Sequence, residues 1–102
     1  MMNNENAVVI LSALAQETRF AVFRLLMKSG EKEMPAGAIA SKLGVADNSL
    51  SSHLNILSNA GVIGARREGR FLYYSIKIDL TKDFLDYIVN DCCEGNPEVC
   101  NF

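Results

Sequence analysis

No cysteine occurs before position 92, and His53 is the only histidine in the 102 residues. A site built from several soft ligands therefore has no place in the body of the chain. No apolar run approaches the roughly 20 residues that a membrane-spanning helix needs. The start, MMNNENAVVI, lacks the basic opening and small-residue cleavage site of a secretory signal. These absences point to a cytoplasmic protein with no membrane partner, in which thiols stay reduced and a structural disulfide is not expected. An odd cysteine count, three, points the same way. There is no glycine loop to cradle a phosphate, and His53 has no evident nucleophile-and-acid setting, so nothing supports an enzyme or an organic cofactor. Internal repeats, low-complexity tracts and dividing linkers are also missing. The expectation is a single domain over residues 1–91, followed by a cysteine-containing tail over 92–102.

Hydrophobic residues make up 49% of the chain, which is rich for so short a sequence. A small domain buries a modest fraction of its surface, so a homodimer would give the surplus somewhere to go. The net charge of −2 hides a segregation. Residues 1–78 hold nine Lys or Arg against six Asp or Glu, a net of +3. Residues 79–102 hold Lys82 against six acids, a net of −5. Where the basic residues cluster matters more than the total.

Periodicity predicts a helix from Asn6 to Ala15, with Val8, Leu11 and Ala15 near one face and Ile10 and Leu14 close by. A second should run from Glu17 to Lys28 and bury Phe20, Phe23, Leu26 and Met27, with Gly30 as its stop. Its cap should be poor, because Gln16 and Glu17 are not strong capping types. Pro35 suits the first turn of a third, short helix that buries Ile39 and Leu43 and ends at Gly44. A fourth follows, capped by Asp47, with Leu50, Leu54 and Leu57 as its buried stripe and Gly61 as its end. Only three or four residues separate these two helices, the spacing of a helix-turn-helix. The period then changes. VIGARR and RFLYYSI read as two strands joined at Glu68-Gly69. DLTKDFLDYIVNDCC reads as a fifth helix capped by Asp79, and Gly95 and Pro97 should stop it. The expected fold is mainly α with a small β-hairpin, a dimeric winged helix-turn-helix of about five helices plus a two-stranded wing.

The fourth helix presents Asn48, Ser49, Ser51, Ser52 and Asn55 away from its leucines. Short polar side chains of this kind allow close approach to a groove and bond phosphates and base edges. The hairpin tip, RREGR, gathers Arg66, Arg67 and Arg70 into the densest basic patch of the chain. Such a patch can track a phosphate backbone or enter the minor groove. Each feature alone is often just a solvated face or turn. In this order, joined by so short a turn, they favour double-stranded DNA. His53 lies on the same helix, where it contacts either DNA or packing neighbours.

The chain resembles the ArsR family of bacterial metalloregulators, dimeric winged-helix repressors released from operators by an inducer. The resemblance is carried by LSALAQETRFAVFRLL, AIASKLGVADNSLSSHLNILSNAGVI and RREGRFLYYSI, most of residues 11–76. It implies that Asn48 to Asn55, His53 included, lie on the recognition helix, that Arg66 to Arg70 form the wing, and that the first and last helices pack in a dimer interface. There are departures. The family often has a basic residue before the histidine, where this chain has Ser52. Its best-known arsenic motif, ELCVCDL, corresponds here to EMPAGAI, with Pro35 and Gly37 in place of the cysteines. That site is absent. A histidine-and-acid zinc site on the last helix lacks its histidine.

What remains is CCEGNPEVC, which resembles a branch of the family with its arsenic site at the end of the last helix. Cys92, Cys93 and Cys100 match the three sulfurs that trivalent arsenic or antimony takes in a pyramid, and soft thiolates suit such ions. Zinc would need a fourth ligand from an acid, water or a second subunit. The neighbouring Asp91, Glu94 and Glu98 would nevertheless attract zinc or cadmium. An oxidant or reactive-sulfur sensor using the same thiols is the alternative. A protein-interaction module with an acidic tail is a third reading, and a functionless tail is the plainest one.

Overall fold

The computed structural model describes residues 2–101. The first helix, α1, spans Asn4–Leu14. It starts two residues earlier than the apolar spacing implied, because Asn3 caps it, its Oδ1 accepting from the Asn6 N–H at 2.8 Å. Its buried face is Ala7, Ile10 and Ala13, so Ile10 is inside as expected, whereas Val8 and Leu11 are 62% and 46% exposed. The helix is apolar on two sides, and the side with small residues is the one that packs.

Helix α2 spans Glu17–Ser29 and buries Val22, Phe23 and Leu26. Phe20 and Met27, expected inside, are 48% and 40% exposed. Its cap is better than its residue type implied. The Gln16 Oε1 accepts from the Arg19 N–H at 2.9 Å, doing with a longer arm what serine or aspartate does. Strand β1, Met34–Pro35, has too little sequence to show a period. It pairs antiparallel with β3 through Met34↔Tyr74 and Pro35↔Tyr73, at a sheet edge where a proline's missing donor costs nothing.

Helix α3, Ala36–Leu43, ends at Gly44 with a φ of 67°, the left-handed stop that glycine adopts freely. After residues 44–46, α4 runs from Asp47 to Ala60. Asp47 is its first residue, not its cap. Ala46 occupies the cap and supplies no side-chain acceptor. Leu50, Leu54 and Leu57 are no more than 1% exposed. Strands β2, Ile63–Glu68, and β3, Phe71–Ile76, pair in register from Ile63↔Ile76 to Glu68↔Phe71. The connecting residues are Gly69 and Arg70, one position later than expected. Gly69 has a φ of 63° and Arg70 a negative φ, the pattern of a II′ turn. The sheet order is β1-β3-β2.

The expected fifth helix is shorter and irregular. Helix α5 spans Ile78–Asp86 with Lys77 at the cap instead of Asp79, and it buries Thr81 and Phe84. A π-helical turn over Tyr87–Asp91 follows, in which the Cys92 N–H reaches the Tyr87 carbonyl at 3.0 Å. Positive φ at Glu94 and Gly95 reverses the chain. A four-residue helix, α6, then spans Pro97–Cys100 and is capped by Asn96. Among the described residues no helix is long and apolar enough to cross a membrane.

Leu54 lies at the centre of the α4 stripe and should be the costliest α4 side chain to truncate. Leu54→Ala is expected to lower unfolding free energy by about 2–5 kcal/mol, the range for buried leucines that leave a cavity. Phe20→Ala, on the exposed side of α2, should cost much less. Urea unfolding followed by circular dichroism compares the two.

Candidate nucleic-acid interface

The buried leucines of α4 fix which of its residues meet solvent. Asn48, Ser49, Ser51, Ser52 and Asn55 are all exposed. Asn48 is engaged locally. Its Oδ1 accepts from the Ser49 N–H at 2.9 Å, and its carbonyl accepts from the Ser51 hydroxyl at 3.3 Å. Among the described residues, no other amide or hydroxyl group of this face is engaged by a hydrogen bond within the protein. With no side-chain cap at Ala46, the start of α4 also presents backbone N–H groups of the kind that meet a phosphate.

His53 stands apart from that face. It is half-buried, and its Nδ1 lies 3.2 Å from Arg19 Nη1 on α2. A guanidinium only donates, so in this contact the imidazole Nδ1 is the acceptor. Of the two roles open to His53 in the sequence, contact with packing neighbours is the one this geometry describes.

The wing divides its arginines. Residues directly paired across a ribbon share a face, and successive residues alternate. The register therefore puts Arg66, Glu68, Phe71 and Tyr73 on one side and Arg67 and Leu72 on the other. Arg66 is already committed. Its Nε lies 3.0 Å from both Glu33 carboxylate oxygens, its Nη1 lies 2.9 Å from Glu68, and its guanidinium sits 4.9 Å from the Tyr73 ring centre. The hydrogen bond from Arg66 holds the Glu33 carboxyl below its ordinary 4.5, and the same contacts raise the Arg66 pKa. This pairing is complete above the ordinary glutamate value and is lost as pH falls through the depressed one. Arg67 and Arg70 are exposed and make no ion pair among the described residues. They are the cations left for phosphate.

Beyond the π-helical turn, Cys93 and Cys100 are joined in a disulfide with Cα atoms 6.4 Å apart. The expectation of no disulfide is corrected here: the reversal at Glu94 and Gly95, followed by α6, folds Cys100 back onto Cys93. Cys92 is free and exposed. The structure thus brings two of the three sulfurs together and leaves the third outside. Among the described residues no group of three or more His, Cys, Asp or Glu is arranged to hold a metal ion.

A helix-turn-helix domain model matches residues 14–63, which covers α2 through α4. The transcriptional repressor SdpR of Bacillus subtilis is 35% identical over 96% of this chain and 100% of its own length. The transcriptional activator HlyU of Vibrio cholerae is 28% identical over 92% of this chain and 84% of its own length. The solution structure of the homodimeric winged helix-turn-helix DNA-binding domain of Mb0332 from Mycobacterium bovis, a possible ArsR-family regulator, superposes with a TM-score of 0.68. It is 31% identical, over 85% of this chain and 80% of that one. The chain belongs to the ArsR family of winged-helix transcriptional regulators. It is a DNA-binding regulator and not an enzyme. In the regulator, α3 and α4 are the helix-turn-helix and the β2–β3 ribbon is the wing.

Two contacts of this interface have no sequence signal, because Glu33–Arg66 and Arg19–His53 join residues 33 and 34 positions apart. The first of these sets the expectation for the wing. Arg67→Ala and Arg70→Ala should each lower the slope of log affinity against log salt by about one unit. Arg66→Ala should leave that slope nearly unchanged, since its charge is already met by two carboxylates. Fluorescence anisotropy on duplex DNA across a salt series separates the three.

Proposed function

We propose that this regulator is a cytoplasmic homodimeric repressor, bound to operator DNA in its apo form and released by trivalent arsenic or antimony at Cys92, Cys93 and Cys100. The observation that carries the reading is the fold-back of the tail. Cys100 returns within one chain to Cys93, with Cα atoms 6.4 Å apart, and Cys92 is the adjoining residue. Reduction of the disulfide by a cellular dithiol, itself oxidised to its own disulfide, frees two thiols beside the third. Arsenous acid and three thiols then give a trithiolate and three waters, with no net proton release. Zinc binding, by contrast, must displace thiol protons.

The tail has a route to the DNA-reading helix. The Tyr87 hydroxyl, in the π-helical turn, donates to Asn4 Oδ1 at the start of α1. Leu80 of α5 packs against the end of α4, where a methyl group added at Gly61 would sit 3.2 Å from its Cδ1. The dimer is supported by the outward apolar residues of α1, Val8, Val9 and Leu11, and by the homodimeric relative Mb0332. Repression follows SdpR, whereas the relative HlyU is an activator. Linkage requires operator DNA to weaken metalloid binding by the factor by which metalloid weakens DNA binding.

The Cys93–Cys100 disulfide, with a free thiol next to it, favours a second reading. Here an oxidant or reactive sulfur species is the signal and the bridge is the signalling state. Zinc or cadmium at the same sulfurs is the variant of this reading that needs no oxidation.

The deciding experiment is fluorescence anisotropy of the fully reduced protein on its own promoter DNA, titrated with arsenite. Cys92→Ser, Cys93→Ser and Cys100→Ser are each expected to abolish release while leaving apo binding within about twofold, because none lies on the DNA-reading face. Tight binding indifferent to arsenite sinks the metalloid reading. Mass spectrometry after peroxide or persulfide treatment, paired with the same DNA assay, then tests the second. A promoter reporter in cells distinguishes repression from activation.

A further inference from the structure

The corner between α1 and α2 holds a cation whose neighbours are neither DNA nor an acid. Arg19 is half-buried and makes no ion pair among the described residues. It is pinned at three points. Its backbone N–H donates to the Gln16 cap at 2.9 Å, its Nε to the Ala13 carbonyl at 2.5 Å, and its Nη1 to His53 Nδ1 at 3.2 Å. Ala13 is in the last turn of α1, where carbonyls have no partner within the helix. One guanidinium therefore ties together the end of α1, the start of α2 and the middle of α4.

We infer that Arg19 and His53 form a strut that sets the roll of α4 against the α1–α2 corner, so that both are positioning residues for operator reading. The inference rests on the DNA binding of the family and is independent of the metalloid reading. Leu50, Leu54 and Leu57 press one side of α4 into the core and fix which side faces out, but apolar contacts are non-directional and set the fine roll less sharply than a hydrogen bond does. His53 adjoins that stripe, and it sits between Ser52 and Asn55 of the exposed face. A directional bond at His53 fixes where those groups point. Arginine suits the task because its rigid planar fork can serve two acceptors at once, which the single ammonium of lysine does poorly. The strut also ends on α1, whose outer residues Val8 and Val9 line one groove with Ile56 and Ala60 of α4. A shift of α1 therefore reaches the recognition helix both through this direct packing and through Arg19.

The test uses the intact chain and two duplexes. One is the sequence that the unaltered protein enriches from a random pool, and the other is its scramble. Arg19→Lys and His53→Leu are each expected to weaken binding to the enriched duplex roughly tenfold, the scale of one charge-assisted hydrogen bond. Binding to the scramble should stay within about twofold and the salt slope should not change, because no phosphate contact is removed. The double variant should be no weaker than the weaker single one, as for two ends of one interaction. His53→Gln, which keeps an acceptor, should recover most of the loss at an unaltered melting temperature. Losses that multiply in the double variant, or that fall equally on both duplexes, overturn the strut. Should Arg19→Lys not fold, His53→Leu against His53→Gln carries the same decision. An unaltered protein that enriches no sequence overturns the DNA reading together with the strut.

Discussion

The packing of three leucines, Leu50, Leu54 and Leu57, organises the rest of this molecule. Each is almost completely buried, and their spacing confines them to one side of α4. Burying leucine side chains is worth about 1.5–3 kcal/mol apiece, which outweighs anything the polar side of the helix could gain by turning inward. The serines and asparagines are therefore outside as a consequence of where the leucines are. The three-residue turn at 44–46 follows from the same constraint, since α3 must pack Ile39 and Ala40 onto this core without moving α4. DNA reading here is the reverse side of a packing problem.

A second constraint, the two-residue alternation of a strand, decides what the wing can do. Three arginines in five residues look like one patch in the sequence. The ribbon sends Arg66 and Arg67 to opposite faces, and Glu33, arriving from the segment before β1, meets only Arg66. That pairing also lies over Tyr73, so Arg66 braces the outer face of the sheet. The freer charges are Arg67 and Arg70. A basic cluster is thus partly structural and partly available, and the division depends on an acid 33 residues away in the chain.

This explains what was legible in the sequence. The winged helix-turn-helix could be read because its signals are local: the spacing of Leu50, Leu54 and Leu57, the stops at Gly30, Gly44 and Gly61, and the change of period after Val62. The misplacements are local features with more than one solution. Gln16 caps α2 because its arm happens to reach Arg19, and α1 turns Ala7 and Ala13 inward because a close helix approach prefers small residues to Val8 and Leu11. Strand β1 is two residues long and carries no period at all. Glu33–Arg66, Arg19–His53 and the bond, though not the approach, between Cys93 and Cys100 were invisible for a different reason. Each is a meeting of side chains that only the assembled fold arranges.

The last of these meetings depends on an irregularity. Had α5 continued as a regular helix to Cys93, its final carbonyls would have faced water and the tail would have left along the helix axis. Instead the π-helical turn, the reversal at Glu94 and Gly95, and the cap at Asn96 return α6 to the helix end. The same turn supplies Tyr87, whose hydroxyl holds Asn4 of α1. Thiol chemistry at Cys93 and Cys100 and the position of α1 thus share one five-residue segment. Were the cysteines to take a ligand, as proposed, this segment is the one through which the change would reach α1.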